Sequence, residues 1–270
     1  MEEVLIRKEL IMIFDSHTHI NEDSYTKEQR EELIREIENA PLISYVMDVG
    51  FDYASSLQAV KDANENEWCY AAVGIHPSDV NNANDRVLGK IKELALNEPK
   101  VKAIGEIGLD YHYPGFDKKL QQLWFRKQIR LGKNLNMPIC IHSRDADGDT
   151  MDILKEEAFD QGYNKVLLHC FSGSAETARE YIKLGGLISI SGPVTYKNNK
   201  KTIKVVEETP IEKMLVETDA PYLTPEPLRG KRNKTPYIEH TVRKIAEIKG
   251  LSFQDVAKIT CDNAIKFYGI

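Results

Sequence analysis

Pro138-Ile-Cys-Ile-His142 and, twenty-seven residues later, Lys165-Val-Leu-Leu-His169 share one plan: a short, continuous apolar run that ends on a histidine. Runs of this kind suit parallel strands buried on both faces, because an antiparallel strand with one wet face alternates apolar and polar residues. Working outward from this pair, the same texture recurs every 22 to 37 residues, at Met12 to Asp15, Ile43 to Val49, Tyr70 to Ile75, Val101 to Gly105, Leu187 to Ser191 and Lys213 to Glu217. The stretches between are helix-like. Gln121 to Leu131 spaces its apolar residues three and four apart, and Thr26 stands as a cap before an amphipathic segment from Glu28 to Glu38. Eight alternating β and α units predict an α/β fold closed as a TIM-like (β/α)8 barrel, with an open doubly wound sheet as the lesser alternative.

The 270-residue chain suits one barrel, and no Pro/Gly-rich linker or low-complexity tract divides it. We therefore expect a single domain over residues 12 to 270, with residues 1 to 11 as an N-terminal extension that is dispensable for folding. The composition, 41% apolar and 29% charged, is that of a globular protein, and no apolar run approaches the roughly 20 residues of a membrane span. The start, Met1-Glu-Glu-Val-Leu-Ile-Arg-Lys-Glu-Leu, lacks the charged and apolar regions of a signal peptide, so a cytoplasmic location is expected. Cys69, Cys140, Cys170 and Cys261 form no C-x-x-C pair and read as small apolar core residues. A net charge of −6 argues against coating duplex nucleic acid by bulk charge, but leaves room for a local anion site that holds metal ions.

The titratable residues gather where the runs end. Asp15, His17 and His19 follow the first, Glu106 the fourth, His142 and His169 close the fifth and sixth, and Asp219 follows the eighth. In a barrel these ends share one face, so residues far apart in sequence converge there. His17 and His19, two apart on an extended strand, project to the same side and can grip one ion. Glu106, between glycines, is placed to give one oxygen to each of two metals. His142 and His169 then serve the second ion, while Asp219 completes the first. This imidazole and carboxylate set, free of thiolate, suits two divalent cations such as zinc, manganese or magnesium.

The motifs Phe14-Asp-Ser-His-Thr-His19, Gly74-Ile-His-Pro77, Gly105-Glu-Ile-Gly-Leu-Asp110, Ile141-His-Ser-Arg144, Leu168-His-Cys-Phe-Ser-Gly173, Glu217-Thr-Asp-Ala-Pro-Tyr-Leu223 and Arg229-Gly-Lys-Arg-Asn233 resemble, in order, those of the TatD family of metal-dependent deoxyribonucleases. The resemblance implies an amidohydrolase-like barrel with two divalent metals that hydrolyses DNA phosphodiesters, commonly from the 3′ end of single strands. It puts ligands at the same His17, His19, Glu106, His142, His169 and Asp219. Ser78 departs from the pattern, since many relatives carry a histidine there.

Two cations about 3.5 to 4 Å apart would activate a water against a phosphodiester, with Asp219 as general base and Glu106 as shared ligand. Arg144, Arg229, Lys231 and Arg232 are the expected phosphate partners, and Tyr222 a surface on which a base can stack. Asp15 reads either as an orienting partner of a ligand or as a structural acid. His76 reads as a substrate contact or a turn histidine, and His112 and His240 as non-ligands. The rival reading is a small-molecule amidohydrolase or lactonase on the same dinuclear site, since a barrel does not fix its substrate. A non-catalytic binding protein is the third, which the complete ligand set argues against.

Overall fold

The computed structural model describes residues 12–270; the N-terminal extension expected over residues 1 to 11 lies outside them. Eight parallel strands run in sequence order around one sheet: β1 (Ile13–Thr18), β2 (Ile43–Val49), β3 (Cys69–Val73), β4 (Val101–Asp110), β5 (Ile139–Arg144), β6 (Val166–Leu168), β7 (Leu187–Ile190) and β8 (Met214–Val216). Helices α1 (Lys27–Glu38), α2 (Tyr53–Glu65), α3 (Asp85–Asn97), α4 (Lys118–Leu135), α5 (Asp147–Glu157), α6 (Ala175–Lys183) and α7 (Lys200–Glu208) follow the first seven strands. Helices α8 (Ile238–Lys249) and α9 (Phe253–Tyr268) end the chain. This is the expected (β/α)8 barrel. Thr26 caps α1 through a reciprocal pair with Gln29, as a capping box requires. No helix among the described residues is long and apolar enough to cross a membrane.

The barrel is nearly closed, and the seam between β1 and β8 is joined by side chains as well as backbone. Asp15 accepts from the Thr218 amide (2.9 Å) and hydroxyl (2.6 Å), and the Ser16 hydroxyl donates to the Val216 carbonyl (2.9 Å). The Asp219 amide donates to the His17 carbonyl (2.9 Å), and the His19 amide to the Ala220 carbonyl (2.8 Å). Of the two readings for Asp15, the structural acid fits: both carboxylate oxygens are spent on Thr218.

Strand alternation divides the side chains. Ile139, Ile141, Val166, Leu168, Met214 and Val216 pack outward against the helices, while Cys140, Leu167 and Leu215 join Phe14, Met47, Ala72 and Ala103 in an inner cluster. Helix α9 packs against β1 and β8 and adds Cys261, Ala264 and Tyr268 to this cluster. The Tyr268 hydroxyl, buried there, donates to the Ser16 carbonyl (3.0 Å).

Candidate metal centre

On β5, and just past the ends of β6 and β8, the inner residue two positions above the apolar cluster is titratable: His142 above Cys140, His169 above Leu167 and Glu217 above Leu215. Simple alternation, period two, accounts for these three. It does not account for Glu106 or His17. On β4, Ala103 faces inward below, yet Ile107 and Leu109 face the helices above, and the register against β5 shifts between Ile104 and Ile107. The shift brings the even-numbered Glu106 and Asp110 inward. A similar irregularity on β1, between Asp15 and Thr18, lies between inward Phe14 and inward His17. Irregularities that re-aim a side chain recur beside active sites.

The glycines around Glu106 answer to crowding. A Cβ on Gly105 would stand 2.6 Å from that of Cys140, and one on Gly108, at φ 145°, would stand 1.9 Å from the His142 carbonyl oxygen. Only glycine lets β4 lie this close to β5. Expected as a residue just past the fourth strand, Glu106 sits inside it, since β4 runs five residues beyond the apolar run.

All six expected ligands converge. His17 Nε2, His19 Nε2, Glu106 Oε2 and Asp219 Oδ1 form one quartet: His17 to His19 is 3.3 Å, His17 to Glu106 3.4 Å, His17 to Asp219 3.9 Å, His19 to Glu106 3.7 Å and His19 to Asp219 3.5 Å. Four ligands set tetrahedrally about 2.1 Å from a zinc-sized ion would be about 3.4 Å apart, so the quartet fits a metal as it stands. The other carboxylate oxygen, Glu106 Oε1, faces His142 Nδ1 at 2.8 Å and His169 Nε2 at 2.7 Å, and these two nitrogens are 3.3 Å apart. This second set is drawn in to hydrogen-bond length and would open by about half an ångström around an ion. Asp219 takes a left-handed backbone, φ 56°, which aspartate tolerates better than most residues.

Three of the four imidazoles face a polar group behind them, as ligating histidines do, and His17 Nδ1 stands 3.4 Å from the Cys140 sulfur. His19 Nδ1 lies 2.7 Å from the Val49 carbonyl, which can only accept, so Nδ1 carries the hydrogen and Nε2 faces the centre. Asp110 Oδ2 accepts from His142 Nε2 (3.1 Å). Glu217 Oε1 stands 3.5 Å from His169 Nδ1, and its Oε2 accepts from Ser189 (2.5 Å). Asp110 and Glu217 lay inside quoted motifs without being singled out. For Glu217 the signal was the strand parity it shares with Leu215; for Asp110 there was none, because the shift in β4 is invisible in sequence.

The charges around this cage favour protonated imidazoles. Burial works against a charge on His169, but Glu106 and Glu217 override it and hold the imidazole well above its usual range. Burial is likewise overridden at His19, pushed up to about 9 by Asp219 and Glu106, and at His142, raised by Asp110 and Glu106. Against the same burial, Glu106 stays well below the usual carboxylate range through the charge of His169 and the bond to His142, and Asp219 is lowered through His19 and His169. His17, with desolvation dominant, is lowered. A cation bound here competes with protonation of these imidazoles.

The centre lies in a cavity of about 990 Å³ whose wall includes His76, Arg144, Tyr113, Phe116 and Tyr222. Arg144 stacks over Tyr113 (5.3 Å). Tyr113 and Tyr222 are about half exposed. Arg229, Lys231 and Arg232 lie outside the cavity wall: Arg229 rests on Tyr196 (4.5 Å) and Arg232 on Tyr25 (4.7 Å). His112 pairs with Asp145 (2.8 Å) away from the centre.

A family profile described as TatD related DNase matches residues 14–269. The chain is 43% identical to YabD of Bacillus subtilis, named an uncharacterized metal-dependent hydrolase, over 96% of this chain and 100% of that one. It is 34% identical to a similarly named TatD hydrolase of Mycobacterium tuberculosis, over 95% and 97%. Among solved structures, the TatD homologue YJJV from Escherichia coli superposes with a TM-score of 0.88 at 24% identity, covering 96% of this chain and 98% of that one.

Proposed function

This chain belongs to the family of TatD-related DNases and is a metal-dependent hydrolase, and from that premise we propose that it hydrolyses phosphodiester bonds of DNA, on single strands from the 3′ end. The observation that carries the reading is Glu106, which turns one oxygen to the His17, His19 and Asp219 donors and the other to His142 and His169. Divalent cations, when bound by these residues, would supply Lewis acidity toward the phosphate and the attacking water.

The protein's own groups do the rest. The Asp219 carboxylate accepts the proton of the attacking water. The water oxygen bonds to phosphorus, the ester P–O bond breaks, and a phosphate monoester and an alcohol result. Arg144, fixed by Tyr113, lies within reach of a phosphate in the cavity, and the exposed rings of Tyr113 and Tyr222 offer faces to unpaired bases. Arg229, Lys231 and Arg232, outside the wall, serve phosphates further along the strand.

The test is cleavage of end-labelled single-stranded DNA, double-stranded DNA and RNA across magnesium, manganese and zinc, with lactones and amides in parallel. Stepwise shortening of single-stranded DNA from its 3′ end is expected, and turnover of lactones or amides alone overturns the reading. Arg229→Ala and Arg232→Ala should raise KM for DNA and flatten its salt dependence by about 0.7 in log–log slope per lost contact, leaving bis-p-nitrophenyl phosphate cleavage intact.

A further inference from the structure

His76 lies in the cavity wall, and none of the roles above uses it. Its Nδ1 accepts from the Ser78 amide (3.1 Å); the Ser78 hydroxyl, 2.6 Å from the same nitrogen, is shared with Asp79 Oδ2 (2.8 Å). A backbone amide can only donate, so Nδ1 carries no hydrogen and the hydrogen of the neutral ring sits on Nε2. That atom is the one turned to the centre: Glu106 Oε1 is 3.6 Å away, beyond hydrogen-bond length, and the His142 ring is edge-on at 4.5 Å. An Nε2 that bears hydrogen cannot ligate a metal. It is a donor without an acceptor, fixed in direction, at the mouth of the second donor set.

We propose that His76 is a catalytic residue of the reaction inferred above, whose Nε2–H donates to one non-bridging oxygen of the phosphoryl group under attack. The Ser78 amide sets the tautomer before substrate arrives. Negative charge grows on that oxygen as water adds, so a donor fixed in advance stabilises the transition state more than the ground state. Because it faces one side of the phosphorus, the donor distinguishes the two non-bridging oxygens. The locking contact is a backbone amide, so it is kept whatever side chain stands at position 78.

Three measurements test this. In metal-free protein labelled with ¹⁵N, the His76 ring should show hydrogen on Nε2 and none on Nδ1; the opposite tautomer overturns the proposal. His76→Ala should lower kcat by roughly 10²-fold with metal content unchanged, and His76→Gln, whose amide nitrogen reaches the same place, should recover much of that loss. Equal losses in both variants, or loss of metal, overturn it. With separated Rp and Sp phosphorothioate diesters, His76→Ala should shrink the sulfur effect for one diastereomer only; a uniform change means a structural role. If wild-type protein cleaves no phosphodiester, the nuclease reading falls, and the Ala and Gln comparison on whichever ester or amide it does cleave then decides the donor role.

Discussion

The inside of this barrel has two layers made by the same strands, and they differ in nearly every property. The lower layer of Phe14, Met47, Ala72, Ala103, Cys140, Leu167 and Leu215 is apolar and sealed with residues of α9. Two residues further along the same inner faces stand His142, His169 and Glu217, polar groups packed against one another and against Glu106. Burial stabilises the first layer directly, by roughly 25 cal/mol per Å² of apolar surface. It destabilises the second, whose charges survive through pairing. The contrast teaches that a reactive site can sit a few ångströms above a core without sharing its physics, provided the lower layer keeps the strands in place.

The largest effect that can break this contrast falls on the upper layer. Asp219→Asn should lower kcat by roughly 10² to 10⁴-fold, and Glu106→Ala should remove both metals with all activity, whereas His142→Ala empties one position. Elemental analysis of purified variants reads this, and full metal content in Glu106→Ala refutes the shared carboxylate. In the lower layer, Leu215→Ala should destabilise the fold by about 2 to 5 kcal/mol, on the order of 10 °C in Tm, with kcat and metal content kept. Should metal content fall with Tm, the layers form one unit. Between them stands Asp110→Asn, which leaves His142 in place but less well oriented, and should weaken metal affinity by roughly 10 to 100-fold without changing Tm of the metal-free protein much. Titration with a competing chelator measures it.

The smallest effect lies outside both layers and serves as a control. Glu157 accepts from Arg130 (2.8 Å) and Arg126 (3.1 Å), and these bonds hold its carboxyl below the usual range. A depressed folded pKa stabilises the protein above the unfolded value of about 4.3, and that stabilisation is lost as pH falls through the folded value. Because Arg130 is largely exposed, the gain is about 1 kcal/mol or less. Tm of Glu157→Gln should therefore lie slightly below wild type at neutral pH and converge with it in acid. A gap that persists at pH 3 would show packing, not charge, at this position.

The eight runs, and the convergence of His17, His19, Glu106, His142, His169 and Asp219, were legible in sequence, because strand ends in a barrel share one face and apolar runs mark the strands. What alternation alone could not show was how two ligands reach that face. Parity would have left Glu106 beside inward Ala103 pointing outward, and only the register shift between Ile104 and Ile107 turns it in. Gly105 and Gly108 were the visible trace of this, read in advance as close approach. The basic stretch Arg229 to Lys234 was legible as a cluster but not in its placement. Asn233, bonded to the Thr218 and Tyr222 carbonyls, steers the loop, and Lys234 is tied to Glu36 (2.6 Å), so these cations ring the outside. His76 stayed undecided because its tautomer depends on a backbone amide two residues on.

The seam that joins Asp15 to Thr218 spans 203 residues of chain. During synthesis the first strand, with His17 and His19, emerges long before its partner exists. At about 5 to 20 residues per second, the wait for Asp219 lasts roughly 10 to 40 s. Throughout it the nascent chain lacks the fourth member of the quartet and presents β1 with an unpaired edge, the sort of exposed strand that chaperones cover. The quartet is complete only once residue 219 has left the ribosome, so the order of translation itself delays hydrolytic chemistry until the barrel is about to close.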